Sequence, residues 1–440
     1  MHFVGILGSG TLPLAVLLYK RGYFVSGTDR QASLNLLDYG FSVTDHTVYP
    51  PTPPDLVVYS LAVEDTNPQI MYANGLSVPL ISRAQLLGAL MSDYGTRISV
   101  SGSHGKSTVT ALIDAILIRA GRSVTTVSGA TLCDGLSVRE GQGDVFLAEA
   151  CEYKDSFLRL CPTHQLISGV ELDHTDYFCD IEAIRRSFLL AARRAATVVI
   201  NTDDAVADSI ARELYAEGYT GQIVTYGRSY TADYVLSDVR RAGDETLFTI
   251  LTPKENLCLK TRLIGDFNLM NITAAVALAD TLGTDANSIR EATAVFSGIE
   301  RRQSVICRIG GTPVYYDYAH HPTEIGAVIT ALREKYKTVT VVFRPHTFSR
   351  TQSLWNEFIV ELSKADFTIL LEIYPAREKY IDGITSDNLA KAMGHGALSV
   401  DVSAAAELAV RQGNGAILLI GAGDVESVKE DFIKLGKTRI

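Results

Sequence analysis

Gly102-Ser103-His104-Gly105-Lys106-Ser107 stands between an apolar run and a helical pattern over Thr108–Ala120. Backbone N–H groups at a helix start cradle phosphate oxygens, a lysine there reaches the terminal phosphates, and a hydroxyl next to it ligates a hard cation. The full phosphate-loop pattern would need glycine at position 100 and finds Val100, so the loop is a shortened form. A glycine-rich turn with a chance lysine is the competing reading; the placement between strand and helix favours a nucleotide. As an exposed loop residue, Lys106 should matter to the phosphates and little to folding. Glu149 follows the apolar Val145-Phe146-Leu147. An acidic residue at a neighbouring strand end holds the nucleotide's Mg²⁺ in such proteins, with Glu152 as first substitute. His174, in Glu171-Leu172-Asp173-His174-Thr175-Asp176, follows the run Gln165–Val170. Beside a phosphate loop and an acidic strand end, metal ligation is the better reading of that histidine than a loop hydrogen bond.

A second glycine-rich turn, Gly5-Ile6-Leu7-Gly8-Ser9-Gly10, follows the first apolar run, and Asp29 ends the second, at the ribose position of a dinucleotide fold. A tight turn before a helix explains this loop equally well. Two such loops in successive units suggest two phosphorylated ligands. Farther on, Arg301-Arg302 precedes a strand pattern. Asp317-Tyr318-Ala319-His320-His321-Pro322-Thr323-Glu324 ends that strand, and Phe343-Arg344-Pro345-His346-Thr347-Phe348-Ser349-Arg350 ends the next. Histidines 104, 174, 320, 321 and 346, out of nine, gather at strand ends. Arg, His and Asp together at two adjacent strand ends read as an anionic-substrate site.

The elements that must position these residues alternate in βαβ fashion, which implies parallel sheets. Strands are expected at Phe3–Leu7, Tyr23–Thr28, Asp55–Ser60 and Val78–Ser82, with a helix over Leu12–Arg21 that tolerates Pro13 in its first turn. A second series has strands at Ile98–Ser101, Asp144–Ala148, Gln165–Val170 and Ala196–Ile200. Gln222–Tyr226, Thr246–Thr252 and Leu257–Leu263 read as an antiparallel flap, and Asn268–Leu282 as a closing helix. The third series has strands at Thr312–Tyr316, Thr338–Phe343, Phe367–Leu371, Leu398–Val402 and Ala416–Ile420. The fold class is α/β in three domains: a Rossmann-like domain at 1–92, a central phosphate-loop domain with parallel sheet and flap at 93–298, and a Rossmann-like domain at 299–440.

The chain's 440 residues suit about three domains. Forty Lys+Arg against fifty Asp+Glu leave a net charge of −10, which argues against a general nucleic-acid binder. No apolar run approaches a membrane span, and the N-terminus lacks a basic region and a cleavage-like site, so neither a membrane anchor nor a signal peptide is expected. Cysteines 133, 151, 161, 179, 258 and 307 form no C-x-x-C pair. They are expected to be buried free thiols in a reducing cytosol. Without any family, the residues describe ATP-driven chemistry on an anionic substrate; phosphoryl transfer to a hydroxyl and to a carboxylate are both compatible.

The chain resembles the Mur ligases of peptidoglycan synthesis over nearly its whole length. The resemblance runs through Val4-Gly5-Ile6, Gly102–Ser107, Glu149–Leu158, Glu171–Phe178, Gly265–Ala274, Ile299–Arg302, Tyr316–Ile325, Phe343–Thr351, Tyr374–Glu378 and Gly421–Asp424. Asp-Tyr-Ala-His-His-Pro-Thr-Glu followed by Pro-His-Thr-Phe-Ser-Arg is specific to the members that join L-alanine to UDP-N-acetylmuramate. The resemblance implies UDP-sugar-binding, ATPase and amino-acid-binding domains in that order. It implies Gly102–Ser107 and Thr108 around ATP, with Lys106 on its phosphates. Ser107 and Glu149 would hold one Mg²⁺, and Glu149 with His174 a second. Asn268 and Asn271 would lie at the adenine and the hinge, and Arg302 and Asp317 would act on the nucleotide. His320, His321 and Arg350 would surround the amino acid and the reacting carboxylate. Gly5, Gly8, Ser9, Gly10, Asp29, Ser60 and Arg83 would bind the UDP-sugar. A cytoplasmic monomer or homodimer is implied.

The phosphate loop departs from the family's usual Gly-Thr-His-Gly-Lys-Thr by hydroxyl-for-hydroxyl swaps. Thr11-Leu12-Pro13 replaces the usual continuation of the first loop. The implied reaction activates a carboxylate as an acyl phosphate for attack by an amine, with His320 or His321 as base. Rival readings are a murein-peptide ligase, a catalytically silent paralogue acting as a binding subunit, and a simple kinase. Arg344-Pro345-His346-Thr347 argues against the first, and intact Lys106, Glu149, His174 and Asp317 against the second. A kinase would leave the third unit without a role.

Overall fold

In the computed structural model, residues 1–30, 32, 40–132, 135–174, 177–376, 378–394, 396–412, 415–422 and 425–438 are described. Cys133, Arg377 and parts of two family-like strings (Thr175-Asp176 and Gly423-Asp424) lie outside them. The chain forms two compact units, Met1–Arg262 with Met270–Ser297, and Leu263–Leu269 with Gly298–Ile440. Among the described residues, the first unit carries two sheets and the second carries one.

The first sheet is all parallel, in the order Ser42–Thr44, Ser26–Thr28, His2–Val4, Val57–Tyr59, Leu80–Ser82. Its first strand ends at Val4, short of the expected Leu7. Gly5 turns the chain at φ +76°, and the N–H groups of Gly5 and Ile6 both donate back to Thr28 O. Ser42–Thr44 escaped the sequence reading because it is three residues long and only half-buried. The helix Leu12–Lys20 begins as expected, with proline in its first turn.

Among the described residues, the second sheet has ten strands. The strand Thr96–Ser101, which leads into the phosphate loop, lies between Val145–Glu149, which ends in the acid, and His164–Ile167, which precedes His174. These central strands are buried on both faces, as covered parallel strands are. Gln222–Gly227 pairs parallel to Thr197–Asn201 and so belongs to this series, not to the flap. The antiparallel flap is Tyr234–Ala242, Glu245–Leu251 and Asn256–Thr261. Tyr234–Ala242 was missed because its second half, Asp238-Val239-Arg240-Arg241-Ala242, carries charge, and an irregularity between Ser237 and Arg240 breaks the alternation.

The second unit's sheet runs Ser304–Ile309, Thr312–Asp317, Ala416–Ile420, Val339–Phe343, Phe367–Leu370, Ala397–Ser399. Val341 and Phe343 pack with Ile325, Ile329 and Phe358 on one face, while Val342 packs with Leu419 and Phe432 on the other. Period-two alternation thus builds two cores from one strand. Ala416–Ile420 lies between the two histidine-bearing strands, so their ends are not adjacent as expected. The last strand of a crossover topology has been inserted between two strands that are neighbours in sequence.

The cysteines also depart from expectation. Among the described five, Cys161, Cys179 and Cys258 are exposed and Cys151 and Cys307 are half-buried, though all five are free. Cys258 sits on the solvent face of an alternating flap strand, and Cys161 and Cys179 lie in loops. Among the described residues, no helix is long and apolar enough to cross a membrane.

Candidate active site

In the first unit, the phosphate loop is fixed from several sides. Ser103 N–H donates to Gly169 O at 2.9 Å, and its hydroxyl donates to Glu171 O and accepts from Glu171 N. Ser168 Oγ donates to His104 O. His104 Nε2 lies 3.3 Å from Glu171 Oε2. Gly105, at φ +81°, precedes the helix Lys106–Arg119, and a Cβ there would run into Asn271 Oδ1. Only glycine satisfies both the backbone conformation and that close approach.

Ser107 Oγ donates to Glu149 Oε1 and Oε2 at 3.1 and 3.0 Å. Ser128 Oγ and Gly129 N donate to the same carboxylate at 3.2 and 2.9 Å. Lys106 and Thr108 start the helix, and Thr108 is buried. The Lys106 side chain is not exposed as expected: 16% remains accessible, and its ammonium donates to Gly102 O, to Ser103 O and to Glu152 Oε1 at 3.0 Å. The loop folds its lysine inward because a buried carboxylate waits there. Burial alone would lower the lysine's pKa, but the charges of Glu152 and Glu149 prevail and raise it.

Glu152 is 1% exposed, and its Oε2 has no hydrogen-bond partner among the described residues. His174 Nε2 lies 3.9 Å from Glu152 Oε1. His174 holds a left-handed backbone (φ +54°), fixed by its N–H donating to Asp173 Oδ1, and its ring packs on Tyr153 at 4.8 Å. The structure therefore brings Lys106, Ser107, Glu149, Glu152 and His174 into one cradle. Sequence reasoning gave Glu152 only a reserve role. The signal was present in Glu149-x-x-Glu152, two acids three residues apart just past a strand end.

The first loop is built differently. Gly8 and Ser9 are exposed, and Gly5 and Gly10 half-buried. Asp29 Oδ2 accepts from Leu7 N at 3.0 Å, so this carboxylate braces the loop. Gly10 faces Arg83: a Cβ there would lie 3.0 Å from Arg83 Nη1. Arg83 is presented at the first residue of its helix by a capping box of Ser82 and Gln85. Ser60 lies beside Gly5, its hydroxyl accepting from Ala62 N.

In the second unit, Asp317 closes its strand, 4% exposed, and accepts from Gln303 N at 2.8 Å and Ala319 N at 2.7 Å. Burial pushes its carboxyl up to about 6, against the pull of Arg302. Arg302 lies over the Tyr318 ring at 5.4 Å, with Nη1 3.7 Å from Glu324 Oε1. His320 Nδ1 sits 3.0 Å from Tyr318 O, an acceptor, so that nitrogen carries a proton and Nε2 offers the lone pair. His321 does the reverse. It caps the helix Pro322–Lys335 by accepting from Thr323 N at Nδ1, which places the neutral ring's proton on Nε2. His320 and His346 approach to 6.1 Å between ring centroids, across the intervening strand. Arg350 sits on the short helix Phe348–Ser353, half-buried. Asn268, also in this unit, donates to Ile264 O and Gln303 Oε1; Asn271 belongs to the first unit.

Comparison with known proteins follows this architecture. Residues 1–95 match the Mur ligase family catalytic domain, 100–279 the Mur ligase middle domain, and 301–423 the Mur ligase glutamate ligase domain. A UDP-N-acetylmuramate–L-alanine ligase of Anaeromyxobacter sp. is 35% identical over 453 residues, covering 99% of this chain and 97% of the relative. One of Thermobifida fusca is 36% identical over 446 residues, covering 97% and 94%. The crystal structure of a UDP-N-acetylmuramate–alanine ligase from Thermotoga maritima superimposes with a TM-score of 0.84 at 25% identity, covering 99% of each chain. A murein peptide ligase from Psychrobacter arcticus, 20% identical with a TM-score of 0.73, shares the fold, covering 100% of this chain and 99% of its own.

Proposed function

The chain belongs to the Mur ligase family, and from that premise we infer that it is an ATP-dependent ligase joining L-alanine to the carboxylate of UDP-N-acetylmuramate, in peptidoglycan precursor synthesis. The observation that carries this reading is full-length identity of about 35% to ligases of that activity. We assign UDP-sugar binding to 1–92, ATP binding to 93–298 and amino-acid binding to 299–440, in a cytoplasmic monomer or homodimer.

In this reading the muramate carboxylate attacks the ATP γ-phosphorus, ADP departs with the bridging oxygen, and an acyl phosphate forms. The alanine amine then attacks the acyl carbon, the C–O bond to phosphate breaks, and inorganic phosphate leaves. Gly102–Ser107 and Thr108 cradle the triphosphate by backbone N–H groups, and Lys106 sets its charge against the γ-phosphate. Ser107 and Glu149 offer one hydroxyl and one carboxylate, a donor set that fits a hard cation such as Mg²⁺, and His174 faces a second position of the same cradle. A bound Mg²⁺ would supply positive charge against the phosphates and the transition state. Asn268 and Asn271 serve the adenine end. Arg302 and Asp317 act on the nucleotide. Gly5, Gly8, Ser9, Gly10, Asp29, Ser60 and Arg83 hold the UDP-sugar. Of the two histidines, His320 suits the base, because Nδ1 faces the Tyr318 carbonyl and a neutral ring then carries its lone pair on Nε2, while a neutral His321 carries its proton on Nε2.

Arg350 pairs with the alanine carboxylate through two parallel N–H···O bonds. The test is phosphate release from ATP with UDP-N-acetylmuramate and a series of amines. Alanine should be best. Glycine, lacking one methyl, should fall about ten- to two-hundred-fold at most. Alaninamide leaves the guanidinium unpaired and should fall by about a hundredfold or more. Equal rates with alanine and alaninamide would move Arg350 to the phosphates. Saturation by an alanine-led tripeptide in place of alanine would favour the murein-peptide reading.

A further inference from the structure

The two carboxylates of the cradle are satisfied to very different degrees. Glu149 takes three donors: two hydroxyls and a backbone N–H. Glu152, more deeply buried, takes one strong donor, Lys106, on one oxygen and leaves Oε2 without a partner among the described residues. A buried oxygen without a partner is costly, and such groups in a folded protein call for a reason other than stability. The lysine shows the complementary pattern. An ammonium has three protons, and Gly102 O, Ser103 O and Glu152 Oε1 take all three. Lys106 in this arrangement has no proton left for a phosphate. It must release a partner, and the two carbonyls belong to the loop that will itself carry the nucleotide.

We propose that Glu152 is a positioning residue that holds Lys106 when no phosphate is present and yields it to the incoming nucleotide. In the free enzyme the pairing holds the ammonium over the loop carbonyls of Gly102 and Ser103. It also competes with ADP for Lys106, which assists product release. This assignment rests on Lys106 serving the nucleotide phosphates.

The experiment measures ADP dissociation constants by calorimetry in EDTA, with no divalent cation, across wild type, Glu152→Gln, Lys106→Met and the double variant. Glu152→Gln should bind ADP about tenfold tighter, because the lysine no longer has a charged competitor. Its turnover and KM for ATP should fall together as ADP leaves more slowly. In the Lys106→Met background the Glu152→Gln change should alter ADP affinity by less than about twofold. Absence of tightening in Glu152→Gln would overturn the exchange. So would equal tightening with and without Lys106, which would mean a general charge effect. A Lys106→Met enzyme that binds ADP as tightly as wild type would instead overturn the lysine's own assignment. If Glu152→Gln does not fold, Glu152→Asp withdraws the oxygen by one methylene and should tighten ADP in the same direction.

Discussion

The two glycine-rich loops of the first unit begin alike and end differently. Each follows a parallel strand, turns at a positive-φ glycine and opens a helix. The loop at 102–107 is then held by residues far along the chain: Gly169 and Glu171 on Ser103, Ser168 on His104, Asn271 against Gly105. The loop at 5–10 is held by its own backbone and by one neighbouring strand end. Gly8 N–H donates to Gly5 O, and Thr11 and Leu12 N–H to Gly8 O, while Thr28 O accepts from Gly5 and Ile6 N–H and Asp29 from Leu7 N–H. Its tip, Gly8 and Ser9, is exposed. Over-determined backbone is what a phosphate cradle needs, since its N–H groups must not reorganise as charge develops. A loop with few outside restraints can adapt to a ligand but contributes less fixed polarity.

If that contrast is right, the largest effect belongs to Lys106. Lys106→Ala should lower phosphate release by about a thousandfold or more, as loss of a phosphate-transfer charge does. Its inward position adds a second expectation. Removing it strands Glu152, so the variant should also lose stability, up to about 3 kcal/mol. Glu152→Gln added to it should restore much of the melting temperature and none of the turnover. Turnover within about tenfold of wild type would break the comparison at its root.

Gly105→Ala tests the fixed backbone itself. The new Cβ meets Asn271 Oδ1 on a φ of +81°, so both the loop and its brace must move. We expect about a hundredfold loss of kcat/KM for ATP and about 1–2 kcal/mol of stability. Adding Asn271→Ala should relieve the clash but not the backbone strain, so recovery should be partial. Full recovery would show that crowding alone fixes this loop.

Much of this site was legible before any coordinates. The βαβ alternation places loop residues at strand C-termini whatever the packing, and so Lys106, Glu149 and His174 could be put at one sheet edge. Sheet order could not be read the same way. The strand Ala416–Ile420 enters between two strands that precede it by tens of residues, and nothing local to any of the three encodes that insertion. The inward turn of Lys106 was hidden for a related reason. It depends on Glu152, which follows a different strand. Exposed cysteines escaped too, because a thiol's burial follows its place, a solvent face of a strand for Cys258 and loops for Cys161 and Cys179, rather than its residue type.

Glu149→Gln separates cation binding from loop rigidity. The amide keeps its shape and can still accept from Ser107 and Ser128, so the loop should stay in place and stability should change by less than about 1 kcal/mol. The charge that a hard cation prefers is lost. The Mg²⁺ concentration for half-maximal activity should rise about tenfold, with a smaller fall in turnover at saturation. An unchanged titration would move the cation to Glu152 and His174.

The smallest effect, and the sharpest for the comparison, is expected from Gly10→Ala. Its Cβ would sit 3.0 Å from Arg83 Nη1 and 3.3 Å from Nε, contacts tighter than packed atoms tolerate. The neighbour is the far end of a half-buried, flexible side chain and not backbone, and position 10 does not have a positive φ. Arg83 can therefore move by a few tenths of an ångström at little cost, and stability should change by less than about 0.5 kcal/mol. What changes is where the guanidinium points. If Arg83 meets the UDP diphosphate, KM for the UDP-sugar should rise several-fold, about 1 kcal/mol for one displaced charge-assisted contact. KM for ATP should stay as it is, because Gly105 and its braces are untouched. The measurement is a pair of saturation curves, one in each substrate, on Gly10→Ala and on Arg83→Lys. Arg83→Lys keeps the charge but loses the fork, so it should show the same one-sided shift. A rise confined to ATP, or equal in both substrates, would mean that the first loop is coupled to the second after all, and that its looser restraint is not the mark of a separate binding site.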